Sequence, residues 1–365
     1  MKRALITLTT ISALVTPLGA QEPVDLAMIE RIKAEGLERS EVMEHFNYLT
    51  NVIGPRLSAT PAYKRAADWG VMKFEEWGLE NAHLESWDFG RGWTLEGLTL
   101  EMRSPRYFPL FGYPEAWTPS TDGMLEGPPV YIGDWTTDDL RTRGSELHGK
   151  AVLIAQPQEG FIEEDRLQPA DYEEQVRIGA PRFLPTQTPA DRGTLAQLLH
   201  DIGVGAVLRP NQGQHGTIFV LGRDNPDTAS PTVILASEHY NMIVRMIEAG
   251  EPVSLRIAIE GQFHEDDTRG YNVLAEIPGA DPEIGDEVVM VGAHLDSWHS
   301  ATGASDNADA VASVMEAMRI LEDLGVEPRR TIRVGLWGSE EQGLHGSREY
   351  VARHLGEDNP DNRQN

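Results

Sequence analysis

The stretch that decides the fold covers residues 287–346 and reads EVVMVGAHLDSWHSATGASDNADAVASVMEAMRILEDLGVEPRRTIRVGLWGSEEQGLHG. Its apolar runs at 288–291 and 332–337 are typical of buried strands. Between them the sequence predicts a helix that Asp306 opens, with apolar residues at helical spacing: Val311, Val314, Met315, Met318, Leu321 and Leu324. Strand and helix alternate, which predicts an α/β fold with a mostly parallel, helix-covered sheet.

Acidic and imidazole side chains follow both predicted strands: His294, Asp296, Asp306, Glu340 and Glu341. Because open parallel sheets bind ligands at the carboxyl ends of their strands, we expect these side chains at one edge of the sheet. Residues two apart on extended backbone point the same way, so Asp296 can fix the tautomer of a metal-bound His294, directly or through water. A His-x-Asp pattern alone is weak and arises mostly by chance.

Each carboxylate also has an ordinary structural explanation. Asp306 stands where an aspartate is favoured as a helix cap, although a short carboxylate there can also bridge two cations. Adjacent glutamates usually face solvent, but in a tight turn one of Glu340 and Glu341 can bind a metal while the other acts as general base on the metal-bound water. A metal lowers the pKa of such water to about 7, and paired ions lie about 3.5–4 Å apart.

Composition restricts the partners and the compartment. The 365 residues carry a formal net charge of -27, which argues against nucleic acid as a partner because its phosphates would be repelled. The chain has no cysteine, which excludes disulfides and thiolate ligands. Residues 1–20 combine Lys2 and Arg3 with a short apolar run, which predicts a signal peptide and a secreted or periplasmic protein. No later segment is long and apolar enough to predict a transmembrane helix.

The order of segments predicts a separate middle unit, which the family resemblance described below identifies as an insert. Residues 105–129 are rich in proline, glycine and aromatic residues and interrupt the regular pattern. The strand pattern returns after a polar stretch at 261–269. We therefore expect a first part at 21–118, a smaller inserted domain at 119–262 and a metal-binding part at 263–365.

Taken together, these motifs resemble the M28 family of zinc metallopeptidases. The family's H-x-D-S-W, G-A-x-D-N and E-E-Q-G-x-x-G-S patterns are matched at 294–298, 303–307 and 340–347. The segments GPRL at 54–57 and WGL at 77–79 also look like this family. The nearest likeness is to the branch of plasma glutamate carboxypeptidase and bacterial aminopeptidases, which carries a protease-associated insert. Residues 119–262 would correspond to that insert.

The resemblance implies a phosphorylase/hydrolase-like fold and two Zn²⁺ ions per complete site. His294 would be a ligand of one zinc, Asp306 would bridge both, and Glu341 would be a ligand of the second. Glu340 would be the general base and then the proton donor to the leaving amine. Asp296 would orient His294.

The sequence also departs from the family pattern. His299 stands where many members have aspartate, and residues 308–310 lack the usual glycine, which we interpret as tolerated variation. The family has two further ligands downstream, an aspartate and a late histidine, for which we nominate none of the remaining candidates: His345, His354, Asp358 and Asp361. We therefore expect a C-terminally truncated chain that is poorly stable, binds zinc weakly and has little or no activity, because three ligands would be shared between two ions.

The predicted function is an exported zinc exopeptidase, aminopeptidase-like, that hydrolyses short peptides with a metal-activated water and Glu340 as base. Carboxypeptidase or dipeptidase specificity, a non-catalytic binding or receptor-like relative, and a single-zinc acyltransferase of the glutaminyl cyclase kind stay open. The Glu340–Glu341 pair argues against a pure binding module, which needs no general base. We expect short peptides as substrates and no nucleic-acid partner, and a homodimer is left open.

Overall fold

The computed structural model describes the residues 24–158, 189–213, 215–224 and 229–356. The predicted signal peptide at 1–20 and the tail residues Asp358 and Asp361 lie outside these ranges. Within them, no helix has both the length and the apolar character that crossing a bilayer requires.

Residues up to Ser40 form one compact unit, whose described part is a single helix, α1 (Leu26–Glu38). The Asp25 carboxylate accepts hydrogen bonds from the amides of Ala27 and Met28, both at 3.0 Å. These contacts satisfy two amides that have no partner inside the helix, so Asp25 sets where α1 begins.

The second compact unit begins at Glu41 and contains the other described elements. Its helices are α2 (Val42–Asn47), α3 (Pro61–Trp77), α4 (Thr137–Arg143), α5 (Pro189–Ile202), α6 (Ser237–Glu248), α7 (Asp309–Asp323) and α8 (His345–His354). Its strands are β1 (Glu80–Asp88), β2 (Gly92–Ser104), β3 (Phe108–Pro109), β4 (Gly112–Pro114), β5 (Leu125–Gly127), β6 (Val130–Tyr131), β7 (Ala151–Leu153), β8 (Ala206–Pro210), β9 (Thr232–Leu235), β10 (Ser254–His264), β11 (Arg269–Ile277), β12 (Val288–His294) and β13 (Thr331–Trp337).

The strands that lead to the predicted site residues form a sheet in the order β1-β11-β13-β12. Strands β12 and β13 run parallel and are joined through α7, whereas β11 runs antiparallel to both β13 and β1. The predicted α/β class is confirmed, but the described sheet is mixed rather than mostly parallel. Parallel strands need a long crossover, which α7 provides between β12 and β13. The connection 278–287 between β11 and β12 is short, and the chain reverses direction there, so β11 runs antiparallel to β13.

One face of this sheet packs against α3 and α7. Val334 and Leu336 alternate with outward-facing residues of β13 and are fully buried in this core. On α7 the predicted apolar stripe is confirmed, since Val311, Met315 and Met318 are fully buried in the same cluster. This packing holds the carboxyl ends of β12 and β13 side by side.

Strand β12 is an edge of the described sheet, where it pairs with β13 alone. Val288, Val289 and Met290 are 43%, 51% and 38% exposed. The prediction of a buried run at 288–291 is therefore wrong for these three residues. An apolar run does not distinguish a central strand, covered on both sides, from an edge strand.

Two further sheets are built from residues between β1 and β11. One is antiparallel, in the order β3-β2-β10-β5. The other has the order β4-β9-β8-β7-β6, with β6 to β9 parallel and β4 antiparallel at its edge. Leu140 and Leu147 pack with Leu195 and Leu199 of α5 against this last sheet.

His299 connects the loop after β12 to the last of these sheets. Its Nε2 donates a hydrogen bond of 2.8 Å to the carbonyl of Pro114 on β4, and its ring lies 5.4 Å from the rings of both Trp93 and Tyr113. Burial of this side chain lowers its pKa from 6.5 to about 4. Within the described residues its Nδ1 is buried without a hydrogen-bond partner, so a second proton would leave an uncompensated buried charge.

We predict that His299 makes the protein less stable as the pH falls from 6.5 towards about 4. In this window the unfolded chain binds a proton at this residue and the folded chain does not, so protonation favours unfolding. The loss is about 3 kcal/mol over the window. Denaturant unfolding at several pH values should give a flatter dependence for His299→Gln. His83→Gln, at a side chain that is 39% exposed, is the control and should keep the wild-type slope; an unchanged slope in His299→Gln contradicts the assignment.

Candidate metal centre

His294 is the last residue of β12 and turns its imidazole towards the carboxyl edge of the sheet. The side chain is only 12% exposed. Its Nδ1 lies 3.1 Å from the backbone carbonyl of Asp296, and because a carbonyl oxygen can only accept, Nδ1 carries the proton. Once Nε2 gives up its proton, this tautomer presents the Nε2 lone pair to a metal.

Asp306 lies in the turn Ala304–Ala308, ahead of α7. Its φ of -135° and ψ of 85° are not helical, and α7 begins three residues later at Asp309, so the prediction that Asp306 opens the helix is wrong. The N-cap of α7 is Ala308, without a side-chain capping bond. The Asp306 carboxylate is 71% exposed and places Oδ1 at 2.9 Å from Nε2 of His294. The capping explanation therefore does not account for this residue.

Glu340 and Glu341 lie in a tight turn directly after β13. Ser339 has a φ of 55°, and the Glu340 carbonyl accepts hydrogen bonds from the amides of Gly343 and Leu344 at 2.8 and 2.9 Å. The turn brings Oε2 of Glu340 to 3.9 Å from Nε2 of His294.

The carboxylate of Asp296 holds this turn in place. It is fully buried and accepts hydrogen bonds from the backbone amides of Glu340 and Glu341 at 3.0 and 3.1 Å. Its nearer oxygen is 3.6 Å from Nδ1 of His294. The contact that fixes the His294 tautomer is thus the Asp296 carbonyl, while the Asp296 carboxylate connects the ends of β12 and β13.

Three donor atoms converge at this edge of the sheet. One ligand atom from each of His294, Asp306 and Glu341 lies within 4.8 Å of the other two. Burial, together with the charges of Asp306 and Asp296, raises the pKa of Glu341 to about 7. Burial alone would lower the pKa of His294, but the surrounding carboxylates outweigh it and raise this pKa to about 9. Such a concentration of negative charge around one imidazole is the environment that a divalent cation would neutralise.

The chemistry of the donor set fits zinc. Zinc is bound by imidazole nitrogen and carboxylate oxygen, and its catalytic sites combine three protein ligands with water. His294, Asp306 and Glu341 provide one nitrogen and two carboxylates, and the exposed Asp306 leaves the group open to solvent.

Residues 272–364 match the model of a known family, described as "Peptidase family M28". Carboxypeptidase Q from Mus musculus is 28% identical over 324 residues, which cover 87% of this chain. The solved structure of a peptidase M28 precursor from Shewanella amazonensis SB2B superposes with a TM-score of 0.63 at 25% identity, covering 90% of this chain and 70% of that one. Residues 272–364 form a peptidase family M28 region.

A further solved structure, a zinc aminopeptidase from Bacillus subtilis, is 19% identical with a TM-score of 0.53 and shows the shared fold. The match covers 86% of this chain and 64% of the Bacillus subtilis chain. This chain spans 63% of the length of the mouse carboxypeptidase Q.

Two histidines close to the M28 motif make contacts elsewhere. The exposed ring of His345 lies edge-on to Phe89 at 5.7 Å. Nε2 of His354 lies 2.7 Å from a carboxylate oxygen of Glu85. Neither belongs to the group of donors around His294.

Sequence reasoning missed two buried polar residues that support the M28 site. Asn272 on β11 accepts from the amide of Gly338 at 3.2 Å and donates to the carbonyl of Gly346 at 2.9 Å, so it fixes both ends of the glutamate turn. Its signal was a polar residue within the otherwise apolar stretch 271–275 of β11. The other is Arg56, which the GPRL motif marked only as a family likeness and whose guanidinium is fully buried.

We predict that Asp296→Asn lowers the free energy of unfolding by about 1–3 kcal/mol. The asparagine amide keeps one acceptor and sets an NH₂ group against one of the two backbone amides, which leaves a buried donor without an acceptor. Denaturant unfolding monitored by tryptophan fluorescence measures the change. Asp68→Asn, at a 55% exposed side chain, is the control and should change stability by less than about 0.5 kcal/mol. Equal stabilities for the two variants would contradict the role of Asp296.

Proposed function

We propose that this chain is the catalytic part of an exported, zinc-dependent exopeptidase that removes a terminal residue from short peptides. The observation that carries the proposal is the convergence of His294, Asp306 and Glu341 within 4.8 Å, with Glu340 beside them. A binding module of the same fold has no need of a carboxylate next to its metal ligands.

The complete site would hold two zinc ions. His294 would bind one ion, Glu341 the other, and Asp306 would bridge them, which agrees with the 2.9 Å contact between Asp306 and His294. Bound zinc supplies Lewis-acid chemistry, polarising the scissile carbonyl and lowering the pKa of water.

Glu340 would move the protons of the reaction. Its carboxylate is 38% exposed and lies at the edge of the donor group, where it can meet solvent and substrate together. It accepts one proton from the attacking water as oxygen bonds to the carbonyl carbon. It then gives this proton to the amine nitrogen as the carbon–nitrogen bond breaks.

We also propose roles for residues outside the group of metal ligands. Residues 1–20 would direct export. Residues 119–262, which contain the sheet from β6 to β9, would form the protease-associated insert beside the site. His299, through its hydrogen bond to Pro114, would keep the loop of the metal ligands in contact with the chain leading into this insert.

Carboxypeptidase specificity is the second candidate, and the similarity to carboxypeptidase Q favours it. Both activities would use the same base and the same metal ligands. They differ in whether a free amino or a free carboxyl group of the substrate is recognised, so aminoacyl-nitroanilides and N-blocked dipeptides distinguish them.

We predict that Glu340→Gln, made in the whole protein, lowers kcat at least about 100-fold, because the amide cannot accept the proton of the attacking water. The zinc content of the protein should stay at the wild-type value, since Glu340 is not a ligand in this proposal. Peptide turnover and elemental analysis measure the two quantities. Glu349→Gln on α8, at an exposed side chain, is the matched control and should keep wild-type kcat. Wild-type kcat in Glu340→Gln would refute the assignment of the base.

We also predict that zinc affinity rises with pH. Without metal, the pKa values of His294 and Glu341 are about 9 and about 7, so zinc must displace a proton from each below these values. The affinity should rise about tenfold per pH unit between about pH 7 and 9 and more steeply below about pH 7. Competition with a chromogenic chelator at several pH values measures the slope. An affinity that is independent of pH would exclude His294 as the ligand.

A further inference from the structure

We propose that Arg56 is a positioning residue of the metal centre, which fixes the distance between His294 and Asp306 by holding the backbone just after His294 and just before Asp306. The inference rests on the zinc site of the proposed function and adds to it a residue that touches neither metal nor substrate.

The guanidinium of Arg56 contacts the backbone next to each of these ligands. Its Nε donates to the carbonyl of Leu295 at 2.8 Å, directly after His294. Its Nη1 and Nη2 donate to the carbonyls of Thr302 and Gly303 at 2.9 and 3.0 Å, at the start of the turn that carries Asp306. One rigid, planar group therefore spans the segment between the two ligands.

The same side chain is anchored on its own side of the fold. Nη1 also donates to the carbonyls of Leu49 and Gly54 at 3.2 and 2.9 Å. The backbone of Arg56 exchanges two further hydrogen bonds with Ser297: its amide donates to the Ser297 hydroxyl at 3.0 Å, and its carbonyl accepts from the Ser297 amide at 3.2 Å. These hydrogen bonds hold Arg56 in one position, so its guanidinium can fix the position of the loop between β12 and the turn that carries Asp306.

The packing of Gly303 also supports a positioning role for Arg56. Gly303 has a φ of 59°, and a Cβ added there would lie 2.8 Å from Nη2 of Arg56 and 2.3 Å from Cβ of Ser297. The turn before Asp306 therefore lies directly on the guanidinium. The Asp306 side chain is 71% exposed, so its position follows from the backbone beneath it rather than from packing of its own.

The chemistry of the contacts explains why an arginine is used. Its five donors in one plane can satisfy carbonyls from several segments at once, which a lysine ammonium cannot do. Each hydrogen bond recorded for this guanidinium in the described residues goes to a backbone carbonyl. Burial lowers the pKa of Arg56 to about 10, while the charge of Asp296 opposes that shift, so the group stays cationic at neutral pH. Because the residue is fully buried, it cannot bind a substrate carboxylate.

The test compares zinc affinity in Arg56→Lys and Arg56→Gln with that in the wild-type chain, using zinc alone as the probe. We expect affinity to fall about tenfold or more in both variants, the effect typical of residues that orient metal ligands. The matched controls are Arg319→Lys and Arg319→Gln, at a buried arginine of α7 that lies 2.8 Å from Glu316. These variants should unfold at lower denaturant concentration but keep wild-type zinc affinity.

A double-mutant cycle separates positioning from general stability. If Arg56 acts through Asp306, Arg56→Lys should change zinc affinity little once Asp306→Asn is present. Additive losses would overturn the inference, as would wild-type affinity in Arg56→Lys. If the Arg56 variants do not fold, Gly303→Ala displaces the same turn while keeping the guanidinium, and it should also lower zinc affinity about tenfold or more; wild-type affinity there overturns the inference. Absence of zinc binding in the wild-type chain would overturn the proposed function together with this inference, whereas zinc binding that is indifferent to Arg56 and Gly303 overturns this inference alone.

Discussion

The buried carboxylate of Asp296 connects the ends of the two strands that carry the metal centre. It is fully buried, and an ionised carboxylate in that position is tolerated only when it is compensated by hydrogen bonds and nearby positive charge. The amides of Glu340 and Glu341 provide the hydrogen bonds, and the buried guanidinium of Arg56 contributes positive charge. The proposed base, Glu340, and the proposed ligand, Glu341, are therefore positioned by the side chain of Asp296, two residues after His294.

The positions of these strand ends concentrate negative charge around the imidazole of His294, where the proposed zinc ions would bind. Asp306 and Glu341 approach one imidazole, and the raised pKa of Glu341 reflects both its burial and the repulsion from neighbouring carboxylates. Such repulsion destabilises the metal-free site and favours a bound cation. The rigid supports, Arg56 beneath the Asp306 turn and Asn272 beneath the glutamate turn, resist the separation of these charges. We therefore expect loss of either support to lower both the stability of the fold and the affinity for metal.

The secondary-structure elements that depend on local sequence pattern were predicted best from the sequence. The helical stripe of α7 was predicted from the spacing of its apolar residues, and the strands at 288–291 and 332–337 were predicted from continuous apolar runs. The clustering of polar residues after strand ends followed from the topology rule for α/β sheets. Whether β12 lies at an edge of the sheet, and where α7 begins, depends on tertiary contacts that no local pattern encodes.

The supports of the site could not be predicted for the same physical reason. Arg56 and Ser297 exchange hydrogen bonds although 241 positions separate them. A buried arginine and a surface arginine look alike in one sequence, since only the fold brings carbonyls to the guanidinium. The dual contact of Asp296 with Glu340 and Glu341 depends likewise on β12 and β13 being neighbours.

The central claim is that His294, Asp306 and Glu341 bind zinc together. Anomalous diffraction at the zinc edge, from crystals grown with zinc, tests it most directly. We expect a peak about 2.0–2.2 Å from Nε2 of His294 and from an oxygen of Asp306. A zinc peak elsewhere, with the His294 imidazole free of metal, would contradict it.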